Sequence, residues 1–332
     1  MRSAMVRRMY IGRLWAATMV GLLPAMLAPI AARAEEGGSA HYLPGATASF
    51  IDALPGKPGW AVANLFTVYN ASAGGGRTLE LGGQLTLGAD ATVFADTVAA
   101  IYTSKLELLG GNYSAGLAIP FVWMDIDGSV TGPGGGSLQV SDSANGIGDI
   151  TLYPFMLGWV KMEGQLKYDV RLGVYAPTGN FDSGSLANVG KNYWTFEPSA
   201  SVSYLNHKIG LEVTAFAGFD FNTENNSTNY QSGHSFHLDT TVAEHIPLLG
   251  GLVGFGANAF YYQQITGDSG SGAQLGDFIG HSIGVGPALS YATKLGKEKK
   301  IDFAAEIKWL PEIEVDKRLK GDYVWFKLAF SF

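Results

Sequence analysis

From Asp322 to Phe332 the chain alternates one residue for one. Val324, Phe326, Leu328, Phe330 and Phe332 fall on one side, and Tyr323, Trp325, Lys327, Ala329 and Ser331 on the other. This period of two predicts a β-strand with two unlike faces. The same period recurs upstream. Trp194, Phe196, Pro198, Ala200, Val202 and Tyr204 oppose Tyr193, Thr195, Glu197, Ser199, Ser201 and Ser203. Leu166, Tyr168, Val170, Leu172 and Val174 oppose Gln165, Lys167, Asp169, Arg171 and Gly173, with Tyr175 continuing the second row. Leu211, Val213, Ala215, Ala217, Phe219 and Phe221 oppose Glu212, Thr214, Phe216, Gly218, Asp220 and Asn222, and Ile301, Phe303, Ala305, Ile307 and Trp309 oppose Lys300, Asp302, Ala304, Glu306 and Lys308.

Twelve such segments are expected, at 59–70, 92–104, 112–127, 146–160, 163–176, 193–206, 208–222, 234–246, 251–266, 279–294, 300–311 and 322–332. Residues Leu79 to Leu87 form either a further strand or part of a loop. The segments run about 10 to 15 residues, longer than the ~5–6 of soluble strands and enough to cross a bilayer at a tilt. Aromatics mark their ends at Trp60, Tyr69, Tyr102, Tyr113, Trp123, Trp194, Tyr204, Tyr291 and Trp309, as two interfacial girdles require. Tight connections, such as Leu108 to Gly111 and Pro247 to Gly250, alternate with long ones rich in Gly, Ser, Asn and Asp, such as 128–145 and 177–192. Alternation alone also fits a soluble sandwich, because it does not say which face is outside. Strand length, aromatic ends and the long-short rhythm together predict an all-β fold: a transmembrane antiparallel up-and-down barrel of about 12 strands, with short periplasmic turns and long extracellular loops.

Composition agrees. Apolar residues make up 47% of the chain, with 45 glycines, yet beyond the N-terminus no apolar run of eighteen residues could span a bilayer as a helix. Residues 1–34 read as a secretory signal: Arg2, Arg7, Arg8 and Arg13 precede an apolar stretch from Leu14, and Ala32-Arg33-Ala34 offers a cleavage site. Losing this signal and its five arginines takes the formal charge from -7 to -12, so a nucleic-acid partner is not expected. With no cysteines, disulfides, thiolate metal sites and cysteine nucleophiles are excluded. Residues 35–58 are too irregular and too rich in Pro and Gly for a lipid-facing strand; part of this segment, about Tyr42 to Leu54, is expected to enter the lumen as a plug, leaving 59–332 as the barrel.

Over roughly residues 40 to 332 the chain resembles the MetA-pathway of phenol degradation family of outer-membrane, transporter-like barrels. The resemblance rests on Gly146-Ile-Gly-Asp-Ile-Thr-Leu-Tyr-Pro154, on Tyr175-Ala-Pro-Thr-Gly-Asn-Phe181 running through Asn188-Val-Gly-Lys-Asn-Tyr-Trp194, and on Gly284-Val-Gly-Pro-Ala-Leu-Ser-Tyr291. It implies a barrel in the Gram-negative outer membrane and a link to aromatic compounds, and it carries over no ligand or catalytic residue.

The candidate lumen-lining residues are those on the polar faces: Lys167, Asp169, Arg171, Tyr175, Glu197, Glu212, Phe216, Asp220, His237, Asp239, Asp302, Glu306 and Lys308. Buried charges need partners or water, so these side chains either lock the interior through cross-strand pairs, polarise a passage, or do both. Ser235, His237 and Asp239 share a strand face, but a strand spaces such a row about 7 Å per step, too far for a direct Ser-His bond. No catalytic residue is therefore assigned. The histidines show no metal-ligand spacing, and neither glycine string, 74–76 or 134–136, has the lysine of a phosphate loop, so no cofactor or metal is expected. Expected partners are outer-membrane lipids, the barrel-assembly machinery, with terminal Phe332 as its signal, and a small hydrophobic or aromatic solute. The leading reading is a channel for passive uptake of such solutes. An outer-membrane lipase or esterase and a structural or surface-interaction barrel are the alternatives.

Overall fold

In the computed structural model the described residues are 36, 39–73, 78–81, 84–131, 137–276 and 279–332. The expected signal segment and both glycine strings lie outside them. The strands are β1 (Gly59–Ser72), β2 (Thr78–Leu81), β3 (Gln84–Leu108), β4 (Gly111–Thr131), β5 (Ser137–Ile147), β6 (Ile150–Lys161) and β7 (Leu166–Ala176). They continue as β8 (Thr195–Leu205), β9 (Leu211–Asn222), β10 (Ser235–Leu248), β11 (Gly251–Gln264), β12 (His281–Leu295), β13 (Ile301–Asp316) and β14 (Lys320–Ser331).

Each wall strand pairs antiparallel with its neighbours, and β1 pairs with both β3 and β14, so the sheet closes. Among the described residues the ring holds twelve positions. β5 and β6 occupy one position in succession, β5 against Phe121–Thr131 of β4 and β6 against Asn112–Ala118. β2 pairs only with Gln84–Leu87 at the start of β3, so it adds no thirteenth wall strand. Closure leaves no unpaired edge facing lipid, where bare backbone groups cannot be satisfied. The seam ends on Phe332, whose N–H and C=O both bond to Trp60 at 2.9 Å.

The structure also settles which face is outside. On β8, Thr195, Glu197, Ser199 and Ser203 are buried while Phe196, Ala200 and Val202 are exposed. On β14, Phe326, Leu328 and Phe330 are exposed, and Lys327 is 1% exposed. Apolar out and polar in is the pattern of a barrel in lipid. Trp60, Tyr102, Trp123, Trp194 and Trp309 lie on the outer surface, but Tyr69 does not: it turns inward and stacks on Tyr323 at 4.0 Å. One polar pair interrupts the outer surface, where Asn64 of β1 donates to Asp96 of β3. Tight turns close the opposite end. At Leu249-Gly250 both φ values are positive, 56° and 75°, as a two-residue hairpin turn of matching twist requires.

Several expected loops are largely strand. β4 and β5 carry the ladder through Asp125–Thr131 and Ser137–Ser143, and β3 begins at Gln84. Gly, Ser, Asp and Gln interrupt their apolar rows, yet their backbones still pair, and Ile126, Val130 and Val140 pack inward on an apolar core. Together β2, β3, β4 and β5 make a sheet above the long-loop end. There Leu79, Leu81 and Ile126 join Leu186, Ala187, Leu310, Leu319 and Tyr323 in an apolar core.

Removing Phe332, or giving that position a charge, deletes or disturbs the closing pair. The folded, heat-modifiable fraction on gels is expected to fall more than for the same change at Ser331; equal losses at both positions would show that the seam does not depend on this pair.

Candidate functional site

The lumen holds residues 39–54. The only regular element in this stretch is a single 3-10 turn at Phe50–Asp52, capped by Ser49, whose hydroxyl accepts from Ile51 N at 3.2 Å while the Asp52 carboxylate accepts from Ser49 N at 2.9 Å. An irregular backbone out of water must find its hydrogen bonds elsewhere. The wall supplies them, residue by residue. Trp325 Nε1 donates to Pro44 O at 3.0 Å, Lys327 Nζ to Ala46 O at 3.0 Å, Lys308 Nζ to Thr47 O at 3.2 Å, and Thr241 to Ala48 O. Gly45 N donates to Asp239 at 3.2 Å and Phe50 N to Glu212 at 2.8 Å. Arg171 reaches Asp52 O at 2.6 Å, and Lys327 holds the Asp52 carboxylate at 2.6 Å. Hydrogen bonds to charged groups contribute about 1.5–3 kcal/mol each.

The candidate lumen residues therefore fall into separate groups. Asp239 is saturated, accepting from Tyr42 OH at 2.6 Å and Thr47 Oγ1 at 2.7 Å as well as from Gly45. Glu212 also takes Thr214 at 2.9 Å and His245 at 2.7 Å. Arg171 forks onto Asp169 at 2.6 and 2.9 Å and lies 5.5 Å over the Phe216 ring. Glu306 sits 3.3 Å from Lys308 and 3.6 Å from Lys327. Glu197 accepts from Tyr175 OH at 2.6 Å and, with Asp220, faces His237. Asp302 instead lies at the short-turn rim, half-exposed, on Lys294 at 2.5 Å. Ser235 donates to Asp220, not to His237, so the row Ser235, His237, Asp239 forms no proton relay. Sequence reasoning passed over Lys327, Trp325, Tyr42 and Asp52. The signal for the first two was present in the inward row of β14.

Beside the segment lies a cavity of about 960 Å³. Its far wall is built of small or apolar side chains from β1, β3 and β4, among them Ala61, Ala63, Val93, Ala95, Ala99 and Met124. Tyr175, Phe216, Lys167, Arg171 and Glu197 line it too; Glu212, expected to flank the passage, does not. The same cavity touches Gly250 and Lys299 at the short-turn end and Asn188 and Lys191 at the long-loop end.

The family model described as "Putative MetA-pathway of phenol degradation" matches residues 72–328. The chain belongs to this family. No curated protein matches its sequence. Its fold is that of the COG4313 outer membrane channel from Pseudomonas putida F1, with a TM-score of 0.61 at 14% identity, covering 86% of this chain and 99% of that one. The β domain of the Bordetella autotransporter BrkA gives a TM-score of 0.43 at 14% identity, covering 83% and 99% of the two chains. A Pseudomonas aeruginosa FadL homologue gives 0.37 at 11% identity, covering 82% and 88%.

Two of the sequence strings that carry the family resemblance meet at one residue. Asp149, in the break between β5 and β6, accepts from Gly179 N at 2.9 Å and from Lys191 N at 2.7 Å. His41 Nε2 lies 2.9 Å from the same carboxylate, and His41 Nδ1 lies 2.7 Å from Thr195 Oγ1. Thr195 gives its own proton to Asn222 Oδ1 at 2.6 Å.

Burial raises the Asp52 carboxyl, but Lys327 and Lys308 outweigh it and hold Asp52 below its ordinary 3.8. A lowered folded value means that this anchor contributes fully above pH 3.8 and is lost only as pH falls through the lower folded value. The difference in thermal stability between the parent and Asp52→Asn should therefore stay constant from pH 7 to about 4 and vanish below. Lys327→Met removes the lysine that bonds the Asp52 carboxylate and Ala46 O, and losing such charged hydrogen bonds costs about 1.5–3 kcal/mol each. Because the chain has no cysteine, a Ser49→Cys probe reports directly: Ser49 is 1% exposed, so the probe should resist a thiol reagent in the parent and react when Lys327→Met is added.

Proposed function

We propose that the protein is an outer-membrane channel for passive uptake of small hydrophobic or aromatic molecules, and that residues 39–54 act as a plug which narrows the lumen without filling it. The observation that carries this reading is the 960 Å³ cavity, apolar on the β1, β3 and β4 side and in contact with residues of both ends of the barrel. An alanine-rich wall offers few hydrogen bonds to exchange for the hydration of a sugar, so desolvating a polar solute there is unfavourable. An aromatic ring loses little on entering and gains contact with Tyr175 and Phe216. Twelve strands also fall between the eight-stranded barrels filled by side chains and the ~16–18-stranded porins with open water channels. Membership of a family named for phenol degradation agrees with the solute class.

In proteoliposomes a simple phenol should cross faster than a sugar of similar size; faster sugar passage, or a large unselective conductance, would overturn the proposal. Ala95→Trp projects into the cavity and should cut phenol flux about tenfold while the barrel stays heat-modifiable, since flux through a narrow pore follows its lining and radius. Deleting residues 36–55 should raise conductance without unfolding the barrel, and unchanged conductance in the assembled variant would count against a plug.

A further inference from the structure

Glu197, Asp220 and His237 come from three consecutive wall strands, β8, β9 and β10. All are buried, and one donor atom from each lies within 4.8 Å of the other two. His237 Nε2 is 3.7 Å from Glu197 Oε1 and 3.8 Å from Asp220 Oδ1. Those distances are too long for hydrogen bonds. Neither ring nitrogen of His237, a side chain with no exposed surface, has a hydrogen-bond partner among the described residues. A fully buried imidazole aimed between two carboxylates at such spacing calls for an occupant.

We infer that Glu197, Asp220 and His237 bind a divalent first-row transition metal ion, of the kind of Zn2+, Mn2+ or Co2+. Donors this far apart leave a central point no more than about 2.5 Å from each, so small side-chain shifts reach the ~2.0–2.2 Å bonds such ions form with imidazole and carboxylate. An imidazole among so few oxygens selects against calcium, which takes six to eight oxygen ligands. The outer oxygens are already held: Tyr175 OH donates to Glu197 Oε2 at 2.6 Å and Ser235 Oγ to Asp220 Oδ2 at 2.8 Å, which turns the inner oxygens toward His237. Residue 218 is a glycine whose Cβ, if present, would lie 2.5 Å from His237 Nε2, so the sequence keeps this space clear. Glu197 also lines the main cavity, which gives the ion a way in. Tyr42 stacks on the His237 ring at 3.9 Å, so a metal here would tie three strands and the lumenal segment at one point. No local spacing reveals the site, because each ligand stands on a different strand.

The test uses the full barrel in detergent, stripped with a chelator and titrated with CoCl2. One equivalent should bind with visible absorption bands, and the unfolding temperature should rise with free Co2+. His237→Gln and Asp220→Asn, checked for folding by heat-modifiable migration, should each weaken binding by about 100-fold or more. Should both variants fail to fold, Cu2+ loaded into the parent still decides the matter, since its electron paramagnetic resonance spectrum must show coupling to an imidazole nitrogen. No bound metal, equal binding in parent and folded variants, or a Cu2+ spectrum without nitrogen coupling would overturn the assignment. Phenol flux does not enter this readout, so failure here leaves the channel proposal to stand or fall separately.

Discussion

An irregular peptide inside a barrel cannot leave its carbonyls and amides unbonded, and this constraint accounts for five charged side chains of the lumen, Arg171, Glu212, Asp239, Lys308 and Lys327. Seven of the nine residues from Pro44 to Asp52 are met by a wall side chain: Trp325, Asp239, Lys327, Lys308, Thr241, Glu212 and Arg171 each answer a particular group. The charges that do this would be costly alone. They are tolerated because they also neutralise one another, Lys327 on Asp52 and near Glu306, and Arg171 on Asp169. Segment and wall thus complete each other. The barrel interior is polar because its contents are backbone.

The outside obeys the opposite rule. Lipid offers no hydrogen bonds, so every wall strand must be paired on both edges and present apolar side chains. The seam between β1 and β14 meets this demand to its last residue, where Phe332 and Trp60 exchange both backbone bonds. The same alternation therefore serves two solvents at once. A register slip of one residue would put Lys327 in lipid and Phe326 against Asp52, and the anchors to the segment help to fix that register from inside.

The fold was legible because a period of two, carried through ten or more residues, matches the geometry of a two-faced strand and not that of a helix. Glu197 between Phe196 and Pro198, or Glu212 between Leu211 and Val213, assigns a face without any structure. The ends of strands were less legible: Asp125–Thr131 and Ser137–Ser143 pair as a ladder although Gly, Ser, Asp and Gln interrupt their apolar rows, and the core that takes up Ile126, Val130 and Val140 is assembled from distant loops. At the level of the site, the inward row was readable but its partners were not. Lys308 could be placed on an inward face, whereas its bond to Thr47 O spans 261 residues and leaves no local pattern. Gly218 beside His237, and Asp149 as the meeting point of two family strings, are likewise products of cross-strand register and loop packing that a single sequence does not encode in spacing.

Where the anchors stand also decides where space remains. The side chains that hold residues 44–52 belong to β7, β9, β10, β13 and β14. The inward positions of β1, β3 and β4 that line the cavity are instead mostly alanines, valines and similar residues such as Ala63, Ala95 and Met124, and the hydroxyls among them, as of Thr67 and Tyr69, are spent on Val324 O and Leu319 O rather than on the segment. The segment is consequently drawn to one side of the lumen, and the cavity follows the other. Small side chains there do two things together: they fail to attract the segment, and they leave room for something else. The apolar character of the passage and the eccentric position of the segment thus have a single cause, the uneven distribution of hydrogen-bonding side chains around the ring.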